Sequence, residues 1–456
     1  MEDVNKMIDE MVAKAKKAQV EFESFSQEQT DAIVKEIGKY AYDHAEVLAK
    51  RTVEESKMGV YEDKVAKCKG KSKCIWNSLK DKKSVGIIDK DEENGIYRVA
   101  KAKGLVAAVT PVTNPVVTPM CNAMFALKGQ NAIIIAPHPR AEKLNKDLID
   151  AFRQILKNHH APEDLIQTIE KSSIDATNDL IKKVDVVVAT GGAGMVKSAY
   201  SSGKPALGVG PGNVQTILDR DIDFEDAVEK IIVGRTFDNG IICSGEQSVM
   251  IPKEKYDEVI ELFKKHGVFY VEDSETAKKF ADTIFPNNGP INRQVVGQSV
   301  QTIAKLANVE VPEGTRMILI KARHLDKSEP LTREKMCPVM ISAPYDTFED
   351  AVAQAQGDLN IEGKGHTASL HSHNLQHIEY AGEHLTVSRL IINQSSSTGA
   401  GGSLYNGFAP TTTLGCGSWG NNSISENLNY THLINVSQIG FYNKDKKIPT
   451  DEEIWA

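Results

Sequence analysis

The runs Leu105 to Val109, Ala132 to Ala136 and Val184 to Ala189 restrict the fold of this chain more than any other feature. Each is a strand-length segment with almost no polar side chain, and a helix-like stretch of suitable length separates it from the next. Such strands have to be covered on both faces. Joined through helices they run parallel, since a parallel pair needs a long crossover. The expectation is a parallel α/β sheet whose strand ends open onto ligand-binding loops. Each run leads into glycine, proline or threonine.

After Asp223 the same alternation restarts. Helical spacing covers Phe224 to Val233, Tyr256 to Lys265 and Thr276 to Thr283, and apolar runs lie at Val249 to Ile251, Met317 to Ile320 and Leu390 to Ile392. A chain of 456 residues also exceeds what one core supports, about 300 residues, so two α/β lobes are expected. Ahead of them, Val4, Met7, Ile8, Met11, Ala15 and Ala18 recur at helical spacing, and Ser26 with Gln29 forms a capping-box pattern. Between Ser84 and Gly104 two apolar segments flank Asn94-Gly95, a hairpin signature. The run His432 to Phe441 reads as a last strand suited to pair with the hairpin of another subunit. The Ser-, Thr-, Gly- and Asn-rich stretch from Asn393 to Ser425 reads equally as a linker or a site loop.

Composition narrows the function. With 41% hydrophobic and 25% charged residues and a net charge of −8, the chain lacks the basic surface that nucleic acid or an anionic membrane attracts. Its acidic start does not read as a signal peptide, and no apolar run reaches membrane length. Six scattered cysteines without paired spacing suggest reduced thiols in a cytoplasmic protein, with neither a disulfide framework nor a metal site.

Cys243 is the cysteine with a chemical setting. It follows Asp238-Asn239-Gly240-Ile241-Ile242 and precedes Ser244-Gly245, which suits a tight, exposed turn. A thiolate there can attack an aldehyde and, after hydride loss, hold the acyl group as a thioester. Thr110-Pro111-Val112-Thr113-Asn114-Pro115 follows the first strand, and Asn114 is placed either as an oxyanion donor, a contact of about 3 kcal/mol, or as part of an Asn-Pro turn. Pro137-His138-Pro139-Arg140 walls a nucleotide or simply breaks the strand. Thr190-Gly191-Gly192-Ala193-Gly194-Met195-Val196 joins a strand to a helix, where glycines let a phosphate approach the helix N-terminus. Lys197 replaces the last glycine of a full dinucleotide fingerprint.

Together these segments, with Glu334-Lys335-Met336-Cys337-Pro338-Val339 and Gly365-His366-Thr367, resemble the aldehyde dehydrogenase superfamily and its CoA-acylating branch. The resemblance implies a nucleotide-binding domain over 1–83 and 105–223 with a Rossmann-type sheet. It further implies an oligomerisation arm over 84–104 and 430–456, and a catalytic domain over 224–429. It makes Cys243 the nucleophile and Asn114 the oxyanion donor. Thr110, Pro111, Pro137, His138, Gly191, Gly192, Val196 and Glu334 are implied at the nucleotide, Glu334 on the nicotinamide ribose. His366 becomes a candidate for the acyl or CoA site. Hydrolytic relatives carry a glutamate base where this chain has Gly208-Val209-Gly210-Pro211, which points to CoA as the acyl acceptor. The residues gripping the adenosine ribose fall on Ala136 and Pro139, so NAD and NADP both stay open. Within the branch, Met58 to Lys67 and Leu414 to Asn427 resemble succinate-semialdehyde dehydrogenases, and sulfoacetaldehyde dehydrogenases look similar. Both substrates end in an anion, for which the loop Ser395-Ser396-Ser397-Thr398, with Ser395 and Ser396 foremost, and Arg389 are the expected contacts; simple acetaldehyde or propionaldehyde enzymes are the uncharged alternative. A homodimer or homotetramer is expected, as is a competing class, a non-catalytic assembly protein.

Overall fold

The computed structural model describes residues 2–322 and 326–456. The three apolar runs lie in one five-stranded parallel sheet, ordered Ile166–Thr168, Ala132–Ala136, Leu105–Val109, Val186–Thr190, Ala206–Val209. Leu105–Val109 is central: the chain builds outward on one side of it, then returns to build on the other. Parallel sheets bind ligands beside such a reversal, outside the C-terminal strand ends. Here those ends continue into Thr110-Pro111 and Gly191-Gly192. Helices Glu2–Phe22, Gln27–Asp43, Ala45–Ser56 and Tyr61–Leu79 share a core with this sheet through Ile8, Phe22, Ile33, Ile37, Leu48 and Ile75. Ser26 closes the expected capping box, its hydroxyl accepting from Gln29 N at 3.3 Å while Gln29 Oε1 accepts from Ser26 N at 2.9 Å.

The second sheet has seven parallel strands, ordered Val268–Val271, Met317–Lys321, Val339–Tyr345, Glu246–Pro252, Val214–Leu218, Gly365–His371, Val387–Ile392. Val214–Leu218 precedes the restart read at Asp223, yet it pairs with Glu246–Pro252 and Gly365–His371. The chain therefore crosses between sheets between Val209 and Val214 rather than at 223. Polar residues hid this strand: Gln215 and Thr216 are buried within it, and Gln215 donates from Nε2 to Asn213 O at 3.0 Å while its Oε1 accepts the Ser248 hydroxyl. A buried amide is tolerated when it is bonded in this way.

Gly86–Asp91 and Ile96–Ala102 form the expected antiparallel hairpin, and Ile434–Gly440 adds to it. The pairing partner differs from expectation. Ile434–Gly440 pairs with the hairpin of its own chain, from Ile434 opposite Ala102 to Gly440 opposite Ile96, because the preceding segment ends beside Ile96–Ala102: Asn131 Nδ2 holds Leu433 O at 2.8 Å. Val436, Ile439 and Phe441 stay exposed on this sheet. No helix among the described residues is long and apolar enough to cross a membrane.

Candidate active site

Cys243 sits in the short connection between helix Phe224–Thr236 and strand Glu246–Pro252. Asp238 and Asn239 at φ 54° and Gly240 at φ 70° curl the chain in left-handed conformations before it. Such backbone costs energy for non-glycine residues and persists where neighbours fix it. They do so here. Asp238 is fully buried; its carboxylate accepts from Val60 N at 2.9 Å, from Lys64 Nζ at 2.8 Å and from Lys67 Nζ. Its backbone N–H donates to Asp63 at 2.7 Å. Below the turn, buried Arg235 donates to Glu246 O at 2.9 Å and to Gly240 O. A Cβ on Gly240 would lie 2.4 Å from that guanidinium.

Lys67 connects this turn to the other lobe, donating to Asn114 Oδ1 at 2.7 Å. An ammonium can only donate, so the amide oxygen must face Lys67 and the Nδ2 donor is the end left for a substrate oxygen. Asn114 and Cys243 line one cavity of about 200 Å³, with Lys67, Lys71, Ser397, Thr398 and Thr411 among the other walls. None of its lining residues is an acid. The Ser- and Thr-rich stretch is thus a site loop, packed against the thiol, rather than a linker.

Burial pushes the Cys243 thiol up to about 12, and the nearby Glu334 charge adds to the rise. Glu334 is itself pushed up to about 8, by burial first and by Glu362 second. Its Oε1 accepts from Gly212 N at 3.3 Å. Gly212 is itself required: a Cβ there would fall 1.7 Å from the Cys243 carbonyl oxygen.

The remaining candidates divide. Gly191 and Gly192 are open, with nothing within 4 Å of an added Cβ at either, and Gly192 caps helix Ala193–Tyr200. This cradle suits a diphosphate. Thr110 continues the central strand, its backbone N–H donating to Ala136 O at 3.1 Å. Pro137 is buried, and His138 caps the following turn through Nδ1, which accepts from Arg140 N at 3.1 Å. Val196 is buried and packs 3.0 Å from a Cβ placed on Gly208, so it supports the cradle floor. His366 is buried; Nδ1 lies 2.9 Å from Thr367 Oγ1, and Nε2 has no hydrogen-bond partner. Burial, then Arg389, holds its pKa well below the usual histidine value.

Of the residues expected to meet a substrate anion, Ser397 and Thr398 line the cavity, and Arg389, Ser395 and Ser396 do not. Arg389 is buried and committed, donating to Thr367 Oγ1, Asn427 Oδ1, His366 O and Gly415 O at 3.2, 3.2, 2.7 and 2.7 Å. Ser396 donates its N–H to buried Glu246 at 2.7 Å, and neither Ser395 nor Ser396 lines the cavity, whose walls come from the next turn, Ser397 and Thr398. The cations that do line it are Lys67 and Lys71, on helix Tyr61–Leu79. The sequence carried their signal: Lys64, Lys67 and Lys71, spaced by three and four, share one helix face.

Comparison with known proteins agrees with this architecture. The model of the aldehyde dehydrogenase family matches residues 2–431. The succinate-semialdehyde dehydrogenase (acetylating) of Clostridium kluyveri is 57% identical over 449 residues, covering 98% of this chain and 99% of the relative. A sulfoacetaldehyde dehydrogenase from an Acholeplasma species is 39% identical over 456 residues, covering 99% and 94%. The crystal structure of an acetylating aldehyde dehydrogenase from Geobacillus thermoglucosidasius superposes with a TM-score of 0.94 at 34% identity, over 98% of this chain and 99% of that one. The chain belongs to the aldehyde dehydrogenase family.

Proposed function

From that membership we propose that the chain is a CoA-acylating aldehyde dehydrogenase. It converts a short anionic aldehyde, CoA and NAD or NADP into the acyl-CoA and reduced nucleotide, and succinic semialdehyde is the favoured substrate. The observation that carries the choice of acceptor is the 57% identity to a succinate-semialdehyde dehydrogenase (acetylating); the cavity around Cys243 is consistent with it, since Glu334 lies outside its lining and no other carboxylate is in it. Hydrolysis of a thioester needs a base to activate water, whereas CoA brings its own thiol.

Cys243 attacks the aldehyde carbonyl as a thiolate, forming a thiohemiacetal whose oxygen accepts from Asn114 Nδ2. Lys67 orients that amide from behind, through the 2.7 Å contact with Oδ1. Thr110, Pro111, Pro137, His138, Gly191 and Gly192 flank the nucleotide crevice, over the floor to which Val196 contributes, and Glu334 is the candidate for the nicotinamide ribose. The nucleotide supplies the hydride acceptor when bound. Once ionised, Glu334 adds to the burial that raises the Cys243 pKa. His366, neutral and with a free Nε2, is the candidate near the CoA thiol. The similarity to enzymes named for succinate semialdehyde and sulfoacetaldehyde supports an anionic substrate. A homo-oligomer assembled through the exposed arm sheet, and a cytoplasmic location, complete the reading.

The test is a spectrophotometric panel of NAD against NADP, with and without CoA, across succinic semialdehyde, sulfoacetaldehyde, acetaldehyde and propionaldehyde. CoA-dependent turnover that is fastest with succinic semialdehyde is the expected result. Equal turnover without CoA would mean a hydrolytic enzyme, and no turnover with any aldehyde would favour an assembly protein.

A further inference from the structure

Of the two lysines lining the cavity, Lys67 has an ion-pair partner in buried Asp238, which it shares with Lys64. Lys71 has no such partner. Its ammonium donates to Gly401 O at 2.6 Å and to Gly402 O at 3.3 Å, and no carboxylate among the described residues forms an ion pair with it. The titratable groups facing it are Lys67, a further cation, and the thiols of Cys74, Cys121 and Cys243. Burial pushes its pKa down to about 8, the direction expected of a cation denied both water and a counter-ion. Lys71 is half-buried, lines the same cavity as Cys243 and is met, among the described residues, only by two carbonyl oxygens; a cation drawn partly out of water without a counter-ion favours an anion from outside. The loop is shaped to this lysine: a Cβ on Gly401 would fall 2.6 Å from Lys71 Nζ.

We propose that Lys71 is the specificity-determining residue that binds the terminal anionic group of the aldehyde, with the aldehyde carbon at Cys243 and the hydroxyls of Ser397 and Thr398 on the intervening wall. This rests on the aldehyde-oxidising reading above and assigns its anion site. It replaces the expected role of Arg389, four of whose five N–H donors are spent on the protein. One cavity then holds a cation at the recognition end, and a thiol and an amide donor at the reacting end. A neutral short aldehyde can enter, but nothing in it answers the charge of Lys71.

The experiment compares wild type with Lys71→Met and Lys71→Arg, using succinic semialdehyde and the uncharged butyraldehyde, each with CoA and nucleotide. For Lys71→Met, kcat/KM on succinic semialdehyde should fall about 10- to 100-fold, the scale of a charge-assisted hydrogen bond, mostly through KM. Turnover of butyraldehyde should hold or rise, and Lys71→Arg should recover much of the loss. Equal losses on both aldehydes, without rescue by Arg, would make Lys71 a prop for the Gly401-Gly402 turn and overturn the proposal. An unchanged preference in Lys71→Met would overturn it as well. Failure of the broader reading looks different: wild type itself would then show no CoA-dependent turnover of either aldehyde.

Discussion

The two parallel sheets meet the cleft with opposite ends. In the five-stranded sheet, Thr110-Pro111 and Gly191-Gly192 lie just after strands Leu105–Val109 and Val186–Thr190. In the seven-stranded sheet, Gly212, Cys243 and Glu334 lie just before strands Val214–Leu218, Glu246–Pro252 and Val339–Tyr345. The glycines follow the same division. Gly191 and Gly192 front open space, while Gly212 has Cys243 carbonyl against it. One lobe thus keeps room for a ligand, and the other spends its room on fixing a reactive turn. Lys67 joins them, holding Asp238 on one side and Asn114 on the other.

If the second lobe supplies the chemistry, Cys243→Ala should cost the most. CoA-dependent NAD(P)H formation should fall by at least about 10³-fold, while nucleotide binding, followed by fluorescence titration, stays close to wild type. Asn114→Ala tests the first lobe's share of the reacting centre. A loss on the order of 10²- to 10³-fold in kcat is expected for a removed oxyanion donor, and a loss confined to KM would break the assignment.

The glycines give the sharpest contrast between lobes. Gly212→Ala should lower the melting temperature and activity together, since the new methyl meets the backbone of Cys243. Gly192→Ala should leave the melting temperature unchanged and raise the KM for nucleotide, by about tenfold for one weakened phosphate contact. Equal thermal shifts in the two variants would erase the distinction.

The smallest effect concerns Glu334. Its carboxylate raises the Cys243 pKa and ionises as pH rises through about 8. Glu334→Gln removes a negative charge, so the thiol pKa falls and the thiolate fraction at a given pH increases. Iodoacetamide should therefore label Cys243 a few-fold faster in the variant above pH 8, as expected for a shift of about half a pKa unit. Below that pH both side chains are neutral, and the rates should converge.

The same contrast explains what could be read from the chain. The first sheet's apolar strands and the glycine junction after Val186–Thr190 were visible because buried parallel strands are apolar runs and phosphate loops need glycine. The second sheet was only half visible. Val214–Leu218 and Gly365–His371 carry Gln215, Thr216, Thr367 and Ser369 in buried positions, so neither shows the apolar run by which a buried strand is read from sequence. Cys243 and Asn114, which line one cavity, stood out by their neighbours along the chain. Lys67 and Lys71 did not, because lysines on a helix ordinarily mark a solvated face. What places them against the cavity is contact with residues 171 and 330 positions away, Asp238 and Gly401. Arg389 misled for the converse reason: four of its five N–H donors are taken by the fold.

The central claim is that Cys243 carries the acyl group and passes it to CoA rather than to water. Intact-protein mass spectrometry of enzyme mixed with succinic semialdehyde and NAD or NADP, first without CoA and then after its addition, reads this directly. The account predicts a persistent acyl adduct that maps to Cys243, matched by one equivalent of reduced nucleotide, and its discharge as acyl-CoA when CoA is added. An adduct on another residue, or one that decays to free acid at a catalytic rate before CoA is present, would contradict it.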